Sequence, residues 1–373
     1  MLSYWEKSEM LEYDLIVIGG GITGMFCALC YRELYPKARI AVLERGLFPS
    51  GASTKNAGFA CFGSLTELMD DSSNMDQESM LNILELRVKG LALLRKTLGD
   101  KIMDYKAHGG YELFFEKQPK ALDMISHFNA LLQPLFKADV YRTSPSKIKA
   151  FGFDNRKVTH LIENAFEAQI NTGKMIQGLR SKLNQKDIFF FSNTEVTQLD
   201  TDQKKVVTKS NGENLSFRFK KLALCNNAFV KQFFNDLEVD PGRGLVLVTT
   251  PINNLKIKGS FHYEEGYYYF RNFENRIILG GGRNLDVKTE TTTDFGINAL
   301  IKEKLLYDLK SFIHPNYPVE IEGEWSGIMA FGKNKIPLVE KRGDHLALGV
   351  RLGGMGIAIG SVIGKQTAEL LKD

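Results

Sequence analysis

The sequence predicts an α/β protein whose N-terminal part is built around a buried parallel strand, and three observations support this. Residues 14–18, "DLIVI", form a short run rich in β-branched side chains, which is typical of a strand buried on both faces. The glycine-rich "GGGITG" follows directly, and "MFCALCYRELY", with apolar residues at helical spacing, ends before Pro36. A second strand, "ARIAVLE", then ends in Glu44.

The glycines have the spacing of a dinucleotide-binding turn between strand and helix. Gly19 permits the tight turn, and Gly21 lets a diphosphate approach the backbone N–H groups at the helix N-terminus. Gly24 lets the helix and the strand pack closely. We also expect the first helical residues, Ile22 and Thr23, to contact the cofactor. The strand–turn–helix setting makes this pattern more specific than the glycines alone.

The residues after the second strand favour FAD over NAD. Glu44 lies 20 residues after Gly24, where an acidic side chain accepts hydrogen bonds from the adenosine ribose. A long loop of small residues, "RGLFPSGASTKNAGF", then replaces the regular strand–helix units that usually follow in an NAD enzyme. Close backbone approach, with hydrogen-bonding side chains on Ser53, Thr54 and Asn56, is suited to a second contact with an extended cofactor.

At this loop the sequence resembles the D-amino-acid-oxidase-like (DAO) superfamily of FAD-dependent oxidoreductases, which includes glycine oxidase, sarcosine oxidase and γ-glutamylputrescine oxidase. The matching positions are Arg45, Ser53, Asn56, Ala57 and Gly58. The resemblance implies that the loop wraps the FAD diphosphate and reaches the flavin. It also implies an α/β fold with α+β insertions, of the DAO/glutathione-reductase-2-like class. A Rossmann-like FAD-binding domain is interleaved there with a mixed-sheet substrate domain.

Later segments extend the resemblance over most of residues 13–371. In "IFFFSNTEVTQLD", Val196 matches the position whose backbone meets adenine, and the turn in "KLALCNNAFVKQFF" places Asn226 and Asn227 beside the cofactor. The C-terminal "GVRLGGMGIAIG" resembles the family's turn against the flavin pyrimidine ring, followed by a helix that starts near Met355-Gly356. A helix N-terminus carries roughly half a positive charge, which favours the reduced flavin. The residues expected at this turn are Gly353, Gly354, Met355, Gly356 and Ile357.

The resemblance also implies a division into two interleaved domains. FAD binding is assigned to residues 1–65, 150–240 and 325–373, and the substrate domain to residues 66–149 and 241–324. The first insertion predicts an amphipathic helix in "DQESMLNILELRVKGLALLRKTLG", a strand in "GGYELFFE" and a helix in "PKALDMISHFNALLQPLF". The second contains "GYYYFRNFENRIILGGGRN", which predicts an aromatic hairpin.

Family members oxidise a C–N bond by hydride transfer to flavin N5, and O2 or another acceptor reoxidises the flavin. In glycine-oxidase-like members an Arg in "W-x-G-x-R-P" holds the substrate carboxylate. Here "EWSGIMAFGKNKIPLVE" has Trp325 and Gly327, but Met329-Ala330 stand at the Arg-Pro positions. We therefore favour a primary or secondary amine without an adjacent carboxylate over an amino acid.

Four residues are candidates for the substrate pocket. Arg271 on the aromatic strand and Arg351 beside the flavin turn are the candidate replacements for the missing Arg, and Tyr269 and Met329 are expected to line the pocket. We expect His262 to be a surface or packing histidine. We expect Cys61 to serve in packing too, although it lies in the cofactor loop.

Two other functions remain open from the sequence. One is a 2-hydroxy-acid dehydrogenase of the same fold, and the other is an FAD-binding scaffold or tRNA-modification component. The net charge of +4 is spread without a dense basic block, so we expect no nucleic-acid partner. We expect no metal cluster and non-covalent FAD, because Ile328 stands near the Trp-Gly segment where relatives attach flavin through a Cys.

The composition also limits the location. The uncharged run from Leu15 to Tyr31 contains four glycines and is expected to be a buried strand and helix rather than a membrane span. The N-terminus is charged and has no apolar signal core. Four cysteines at irregular positions favour a reducing, cytoplasmic setting over a disulfide framework.

Overall fold

The computed structural model of the chain describes residues 2–117, 119–210, 212–315 and 318–372. The strands are β1 (Glu12–Ile18), β2 (Ile40–Leu43), β3 (Phe59–Ala60), β4 (Gly110–Phe114), β5 (Tyr141–Thr143), β6 (His160–Asn164), β7 (Ala168–Gln169), β8 (Phe189–Phe191), β9 (Glu195–Asp200), β10 (Lys205–Ser210), β11 (Glu213–Leu224), β12 (Asp240–Thr249), β13 (Ser260–Tyr263), β14 (Tyr268–Phe273), β15 (Arg276–Gly281), β16 (Ile321–Phe331), β17 (Leu338–Arg342) and β18 (Leu346–Val350). The α-helices are α1 (Tyr4–Glu9), α2 (Ile22–Leu34), α3 (Ala52–Lys55), α4 (Leu65–Asn74), α5 (Gln77–Leu98), α6 (Ala121–Phe136), α7 (Pro145–Phe151), α8 (Thr172–Gln185), α9 (Val287–Glu290), α10 (Ala299–Asp308) and α11 (Gly356–Leu370).

The first sheet is built on the strand that the sequence predicts near its N-terminus. β1 lies between β2 and β11 and is parallel to both, and the order along the sheet is β17-β18-β11-β1-β2-β8. β10 and β9 continue from the outer half of β11 as an antiparallel extension. Leu15 and Val17 pack into the apolar core on one face of the sheet, and Ile16 packs into the core on the other face. All three side chains are fully buried. The predicted buried parallel strand is confirmed.

Helices α2, α5, α8 and α11 cover one face of this sheet and share its apolar core. α2 and α11 pack very closely, because a Cβ on Gly364 would collide with the backbone carbonyl of Thr23. α11 begins at Gly356 with Met355 as its N-cap residue, as predicted. The amphipathic helix predicted in the first insertion is α5, which packs on α11 through Gly90.

The second sheet has the order β16-β12-β15-β14-β13-β4-β6-β5 and is mixed, because β13 and β4 are parallel whereas the other pairs are antiparallel. The predicted aromatic hairpin is β14–β15. The apolar core of the second sheet lies between the sheet and α10. The α/β class with mixed sheets is therefore confirmed.

The sheets do not follow the predicted domain boundaries at every strand. β6 lies within residues 150–240, which were assigned to FAD binding, but it pairs with β4 and β5 in the second sheet. β16 straddles residue 325 and belongs wholly to the second sheet. The division into two domains stays a prediction. Among the described residues, no helix combines the length and the apolar character needed to cross a bilayer.

The α5–α11 contact gives a test of the packing. A Cβ on Gly90 would overlap the carbonyl oxygen of Ala358, and the Ser361 hydroxyl donates a 2.5 Å hydrogen bond to the Gly90 carbonyl. We expect Gly90→Ala to lower the free energy of unfolding by about 1–3 kcal/mol, the usual cost of overpacking. Urea unfolding of the purified protein measures this change.

Gly173→Ala is the matched control, because Gly173 is also helical and a Cβ there would meet only the Asn171 side chain at 3.4 Å. We expect this change to be neutral or stabilising by up to about 1 kcal/mol through helix propensity. Equal midpoints for the two variants would contradict the close packing of α5 on α11.

Candidate functional site

A cavity of about 720 Å³ lies between the two sheets. On one side it is bounded by Ile18 and Leu43, the last residues of β1 and β2, and by Cys225, directly after β11. On the other side it is bounded by residues of the second sheet, among them Val246 and Ile328. The carboxyl ends of parallel strands are the usual place for a ligand in an open α/β sheet.

The cavity brings together most of the residues that the sequence predicts for cofactor binding. The predicted cofactor residues in its lining are Gly19, Gly21, Ile22, Thr23, Glu44, Arg45, Ser53, Asn56, Ala57, Val196, Asn226, Asn227, Gly353, Gly354, Met355, Gly356 and Ile357. They come from chain segments that are far apart in sequence and meet only in the fold.

Three predicted cofactor residues lie outside the lining. Gly24 contacts the backbone of Gly19, where a Cβ would overlap the Gly19 carbonyl, so its position is the packing position predicted for it. The Thr54 hydroxyl donates to the Pro49 carbonyl at 2.5 Å and therefore closes its own loop. Gly58 has φ +78° and turns the chain beneath the cavity.

The N-terminus of α2 points into the cavity. The backbone N–H of Ile22 donates to Ser53 Oγ at 3.0 Å, so loop 45–58 lies directly over this terminus. Thr23 Oγ1 is buried and has no hydrogen-bond partner among the described residues. A helix N-terminus with an unpartnered hydroxyl suits an anionic diphosphate.

Glu44 is held rigidly at the end of β2. Its Oε1 accepts hydrogen bonds from Gly46 N–H at 2.9 Å and from the Ser50 N–H and hydroxyl at 3.1 and 2.9 Å. Its Oε2 accepts one hydrogen bond, from Gly20 N–H at 3.0 Å. With a single donor among the described residues, Oε2 is the less engaged of the two oxygens and is the one suited to accept from a ligand hydroxyl.

The C-terminal turn forms an open cradle opposite α2. A Cβ on Gly353 or Gly354 would meet no atom within 4 Å, so both glycines face open space. The turn is fixed by Asn227, whose Oδ1 accepts from Arg351 N–H at 3.0 Å. The side-chain amide of Asn226 is buried, and both its nitrogen and its oxygen lack partners among the described residues. These features fit a flat polar ligand such as a flavin.

The predicted substrate residues separate into two groups. Tyr269, Met329 and Arg351 line the cavity. Arg271 does not line it: its Nη1 donates to the carbonyls of Gly58 at 2.5 Å and Ile170 at 2.8 Å. Burial lowers the pKa of Arg271 to about 10. Its side chain thus holds the cofactor loop from below, and this position corrects the expectation of substrate contact.

The guanidinium of Arg351 is already engaged by the protein. It donates to the carbonyls of Ile336 at 3.0 Å and Glu238 at 3.1 Å, and it lies 3.4 Å from Asn334 Oδ1. Its backbone adopts φ +64°. Arg351 therefore ties the C-terminal turn to the segment after β16, which leaves little of its hydrogen-bonding capacity for a substrate.

A cation that the sequence reasoning missed lines the same wall. Arg283 follows β15 and its guanidinium lies over the ring of Phe331, with Cζ 4.2 Å from the ring centroid. Burial lowers the pKa of Arg283, and no hydrogen bond or ion pair of its guanidinium is found within the described residues. The signal was present in "GGGRN", where only the glycines were interpreted.

Arg283 lies beside the position where the family's Arg is absent. Met329 and Phe331 project from the same face of β16, because alternate residues of a strand share a face. A Cβ on Gly244 would lie 2.9 Å from Met329 Cε, and one on Gly242 would lie 3.5 Å from Arg283 Cδ. The two glycines of β12 thus make room for Met329 and Arg283 on one side of the sheet.

Comparisons with known proteins agree with this geometry. Residues 14–370 match the family described as FAD dependent oxidoreductase (DAO). A D-amino acid dehydrogenase of Helicobacter pylori (strain J99) is 24% identical, and the alignment covers 97% of this chain and 96% of that protein. A glycine oxidase structure from Geobacillus kaustophilus has a TM-score of 0.75 at 18% identity, with 97% and 95% of the chains covered. An L-proline dehydrogenase structure from P. horikoshii has a TM-score of 0.75 at 16% identity, with 97% and 94% covered.

The chain therefore belongs to the DAO family of FAD-dependent oxidoreductases, which confirms the resemblance drawn from loop 45–58 and the C-terminal turn. It is an oxidoreductase whose family reaction is the FAD-dependent oxidation of a C–N bond in an amine or amino acid. No finding favours the hydroxy-acid or scaffold alternatives.

The open cradle at Gly354 allows a test of the cofactor position. Gly354→Val adds a side chain that enters empty space in the protein but fills the cavity. We expect the purified variant to contain at least about tenfold less FAD than the wild type, as measured from flavin absorbance per chain, because two hydrogen bonds or their equivalent in contact are lost.

The unfolding midpoint of the FAD-free protein should be unchanged by Gly354→Val, because the added atoms meet no protein atom. Gly354→Ala serves as the graded control and should reduce the FAD content less. Full FAD content in the valine variant would show that the cofactor does not approach this turn.

Proposed function

We propose that the chain oxidises an amino acid, or another amine that carries a carboxylate, and that Arg283 binds this carboxylate. The single observation that supports the proposal is the half-buried guanidinium of Arg283, which lines the cavity and forms no ion pair among the described residues, while the nearby Glu290 is already paired with Arg243. A guanidinium matches a carboxylate with two parallel hydrogen bonds. A desolvated cation of this kind is stabilised by an anionic ligand.

This proposal differs from the preference drawn from the sequence for an amine without a carboxylate. That preference depended on Met329 at the family's Arg position, and the fold places Arg283 over Phe331, two residues further along β16, where it lines the same cavity as Met329. The relatives support an amino acid as well, because their names refer to D-amino acids, glycine and L-proline, which all carry a carboxylate beside the C–N bond.

Tyr269 is a second candidate for contact with the substrate. Burial raises the pKa of the Tyr269 phenol to about 12, so the hydroxyl stays protonated and able to donate a hydrogen bond at neutral pH. Within the described residues it has no recorded hydrogen bond. Tyr269 lies on β14, the neighbour of the β15 strand that leads to Arg283, so both side chains face the same cavity.

FAD is proposed to bind non-covalently in the cavity. When bound, the flavin supplies the acceptor for the hydride that leaves the substrate carbon. The residues proposed to hold FAD are those of the cavity lining named above, with Glu44 at the ribose and Val196 near adenine. Burial raises the pKa of the Cys61 thiol far above its usual range, which makes this cavity-lining cysteine a poor nucleophile for covalent attachment.

The remaining partners are proposed from weaker observations. The acceptor that reoxidises the flavin is O2 or another oxidant, and no nucleic-acid partner is proposed because the charge is evenly spread. A reducing, cytoplasmic setting is supported by the four cysteines, Cys27, Cys30, Cys61 and Cys225, which are all free thiols.

An anaerobic screen tests the substrate class. FAD-loaded protein is mixed without oxygen with D- and L-amino acids, with the corresponding amines that lack the carboxylate, and with 2-hydroxy acids. We expect amino acids to bleach the flavin and the decarboxylated amines to react far more slowly. Faster bleaching by amines would return the assignment to an amine oxidase, and bleaching by hydroxy acids alone would overturn C–N oxidation.

The carboxylate role of Arg283 predicts a specific loss in one variant. Arg283→Met should lower kcat/KM for the best amino acid by about 10- to 100-fold, which corresponds to the roughly 1.5–3 kcal/mol of a hydrogen bond to a charged group. The same change should leave kcat/KM for the matching amine nearly unaltered, because that substrate has no carboxylate to lose.

Arg276→Met is the control for loss of an arginine from the same hairpin. Arg276 pairs with Glu322 at the surface, with Nε 2.7 Å from Oε2, and it does not line the cavity. Its kinetics should equal those of the wild type for both substrates. An equal loss on both substrates in Arg283→Met would indicate a structural role.

A further inference from the structure

A buried acid–imidazole pair lies in the cavity wall, where the sequence suggested only packing. His262 on β13 and Glu167 before β7 are 6% and 1% exposed, and His262 Nε2 lies 3.4 Å from Glu167 Oε2. Glu167 Oε1 and His262 Nε2 both lack a hydrogen-bond partner among the described residues, so the 3.4 Å contact is an ion-pair contact. Burying two charged groups this deeply lowers the stability of the fold unless they pair with each other or with a ligand.

The fold makes a specific space for the Glu167 carboxylate. A Cβ on Gly110 would overlap both Oε2 and Cδ of Glu167, so only glycine at the start of β4 admits the side chain. The face of the His262 ring away from Glu167 lines the main cavity, together with Cys61 and Phe59. The His262 ring therefore separates the cavity from the carboxylate behind it.

His262 lies next to the residues already proposed for the substrate. Phe59 contacts both the His262 ring and the Tyr269 ring, with centroid distances of 5.2 Å in each case. His262 and Tyr269 are also opposite each other in the β13–β14 pairing. A molecule that contacts Tyr269 in the cavity is therefore within one side chain of His262.

We propose that His262 takes the proton from the substrate ammonium before oxidation and that Glu167 is the positioning residue that orients and charges its imidazole. Nε2 faces Glu167, which leaves Nδ1 as the ring nitrogen available to the substrate. This inference rests on the amine-containing substrate proposed above. It adds a proton acceptor to a site in which the flavin accepts only the hydride.

The chemistry requires the substrate nitrogen to lose a proton before oxidation. Amino groups are protonated at neutral pH, and the nitrogen lone pair is needed to form the C=N bond when hydride leaves the adjacent carbon. In the proposed step the substrate N–H bond breaks, a new N–H bond forms on the imidazole, and the electron pair stays on the substrate nitrogen. A general base in this position typically contributes about 10²- to 10⁴-fold in rate.

The other titratable groups of the cavity wall are less suited to this task. The Glu67 carboxylate accepts the Ser64 N–H at 2.8 Å in the helix cap, and Asp70 pairs with Lys335 at 3.3 Å. Asp71 pairs with Lys335 and lies 3.9 Å from Arg87. Burial raises the pKa of Cys61 well above its usual range, so its thiol stays protonated.

The surroundings of His262 determine the pH at which it can act. Burial disfavours the imidazolium, but the close contact with Glu167 and its negative charge, with the charges of Glu67 and Glu112, outweigh it and raise the pKa of His262 to about 8. Burial raises the pKa of Glu112 itself to about 7. The neutral, proton-accepting form of His262 therefore becomes populated as the pH rises through about 8.

The first test is the pH profile of anaerobic flavin reduction. In the wild type, kcat/KM for the best amino acid should rise through an apparent pKa of about 8. In Glu167→Gln the acid limb should move down by about one unit or more, towards the ordinary histidine value of about 6.5. In His262→Asn this limb should disappear, and the rate should fall by about 10²-fold or more.

Glu324→Gln is the control for loss of a carboxylate, because Glu324 pairs with Lys302 at 2.7 Å outside the cavity lining. Its profile should match the wild type. The inference would be overturned if the acid limb of the pH profile had the same apparent pKa in all variants and followed the amine pKa of each substrate. The substrate would then lose its proton in solution.

The second test needs no turnover and therefore separates this inference from the proposed function. The six histidines are labelled with ¹⁵N in the FAD-loaded protein, and the signal lost in His262→Asn identifies His262. We expect its titration midpoint near 8 in the wild type and at a lower pH in Glu167→Gln. An unshifted midpoint would overturn the pair even if amino acids bleach the flavin.

Metal analysis of the purified enzyme is the third test. Donor atoms of Cys61, Glu167 and His262 all lie within 4.8 Å of one another, and this set is able to ligate a divalent cation. We expect no stoichiometric metal. One equivalent of zinc, lost in both Cys61→Ser and Glu167→Gln, would overturn the proposal, because a metal-bound imidazole is not free to take a proton.

Discussion

The close contact between α2 and α11 is the constraint on which the rest of the structure depends. The two helices come from opposite ends of the chain, and at Gly364 there is no room for even a Cβ against the Thr23 carbonyl. This backbone-to-backbone packing brings the N-termini of both helices, at Ile22 and Gly356, to the same cavity. Each terminus contributes partial positive charge. We propose that main chain rather than side-chain charge encloses the large, partly anionic cofactor.

The second sheet supplies the charged side chains that are proposed to act on the substrate. Arg283 follows β15 and His262 lies on β13, and both line the cavity, whereas Glu167 precedes β7 and lies behind the His262 ring. Their burial matters more than their number, because an interaction between charges is much stronger away from water. The proposed division of labour follows from this layout: backbone and dipoles hold the nucleotide, whereas a few desolvated side chains handle the substrate.

Arginine illustrates how far side-chain roles can be predicted from a sequence. Arg271 and Arg351 were chosen because they lie near recognisable motifs, yet their guanidinium groups bind backbone carbonyls and stabilise neighbouring loops. Arg283 was passed over, although it lies in the same quoted hairpin. A long, flexible side chain reaches several ångströms from its Cα, so its target depends on which loops fold against the strand. The sequence contains no local signal for that choice.

The sequence by itself determined the N-terminal strand–turn–helix unit and the family, because glycine spacing and strand–helix alternation are local properties. Gly19 and Gly24 need no tertiary information to be recognised, since a Cβ at either position would overlap backbone atoms, and the turn at Gly353-Gly354 is recognised from its glycine-rich pattern. The tertiary structure decided which charged groups face the cavity. Glu167 and His262 are separated by 95 residues and meet only because β13 and β4 pair in parallel beside the β3–β7 ribbon. Such long-range pairing is a property of the whole fold, so no short stretch of sequence reveals it.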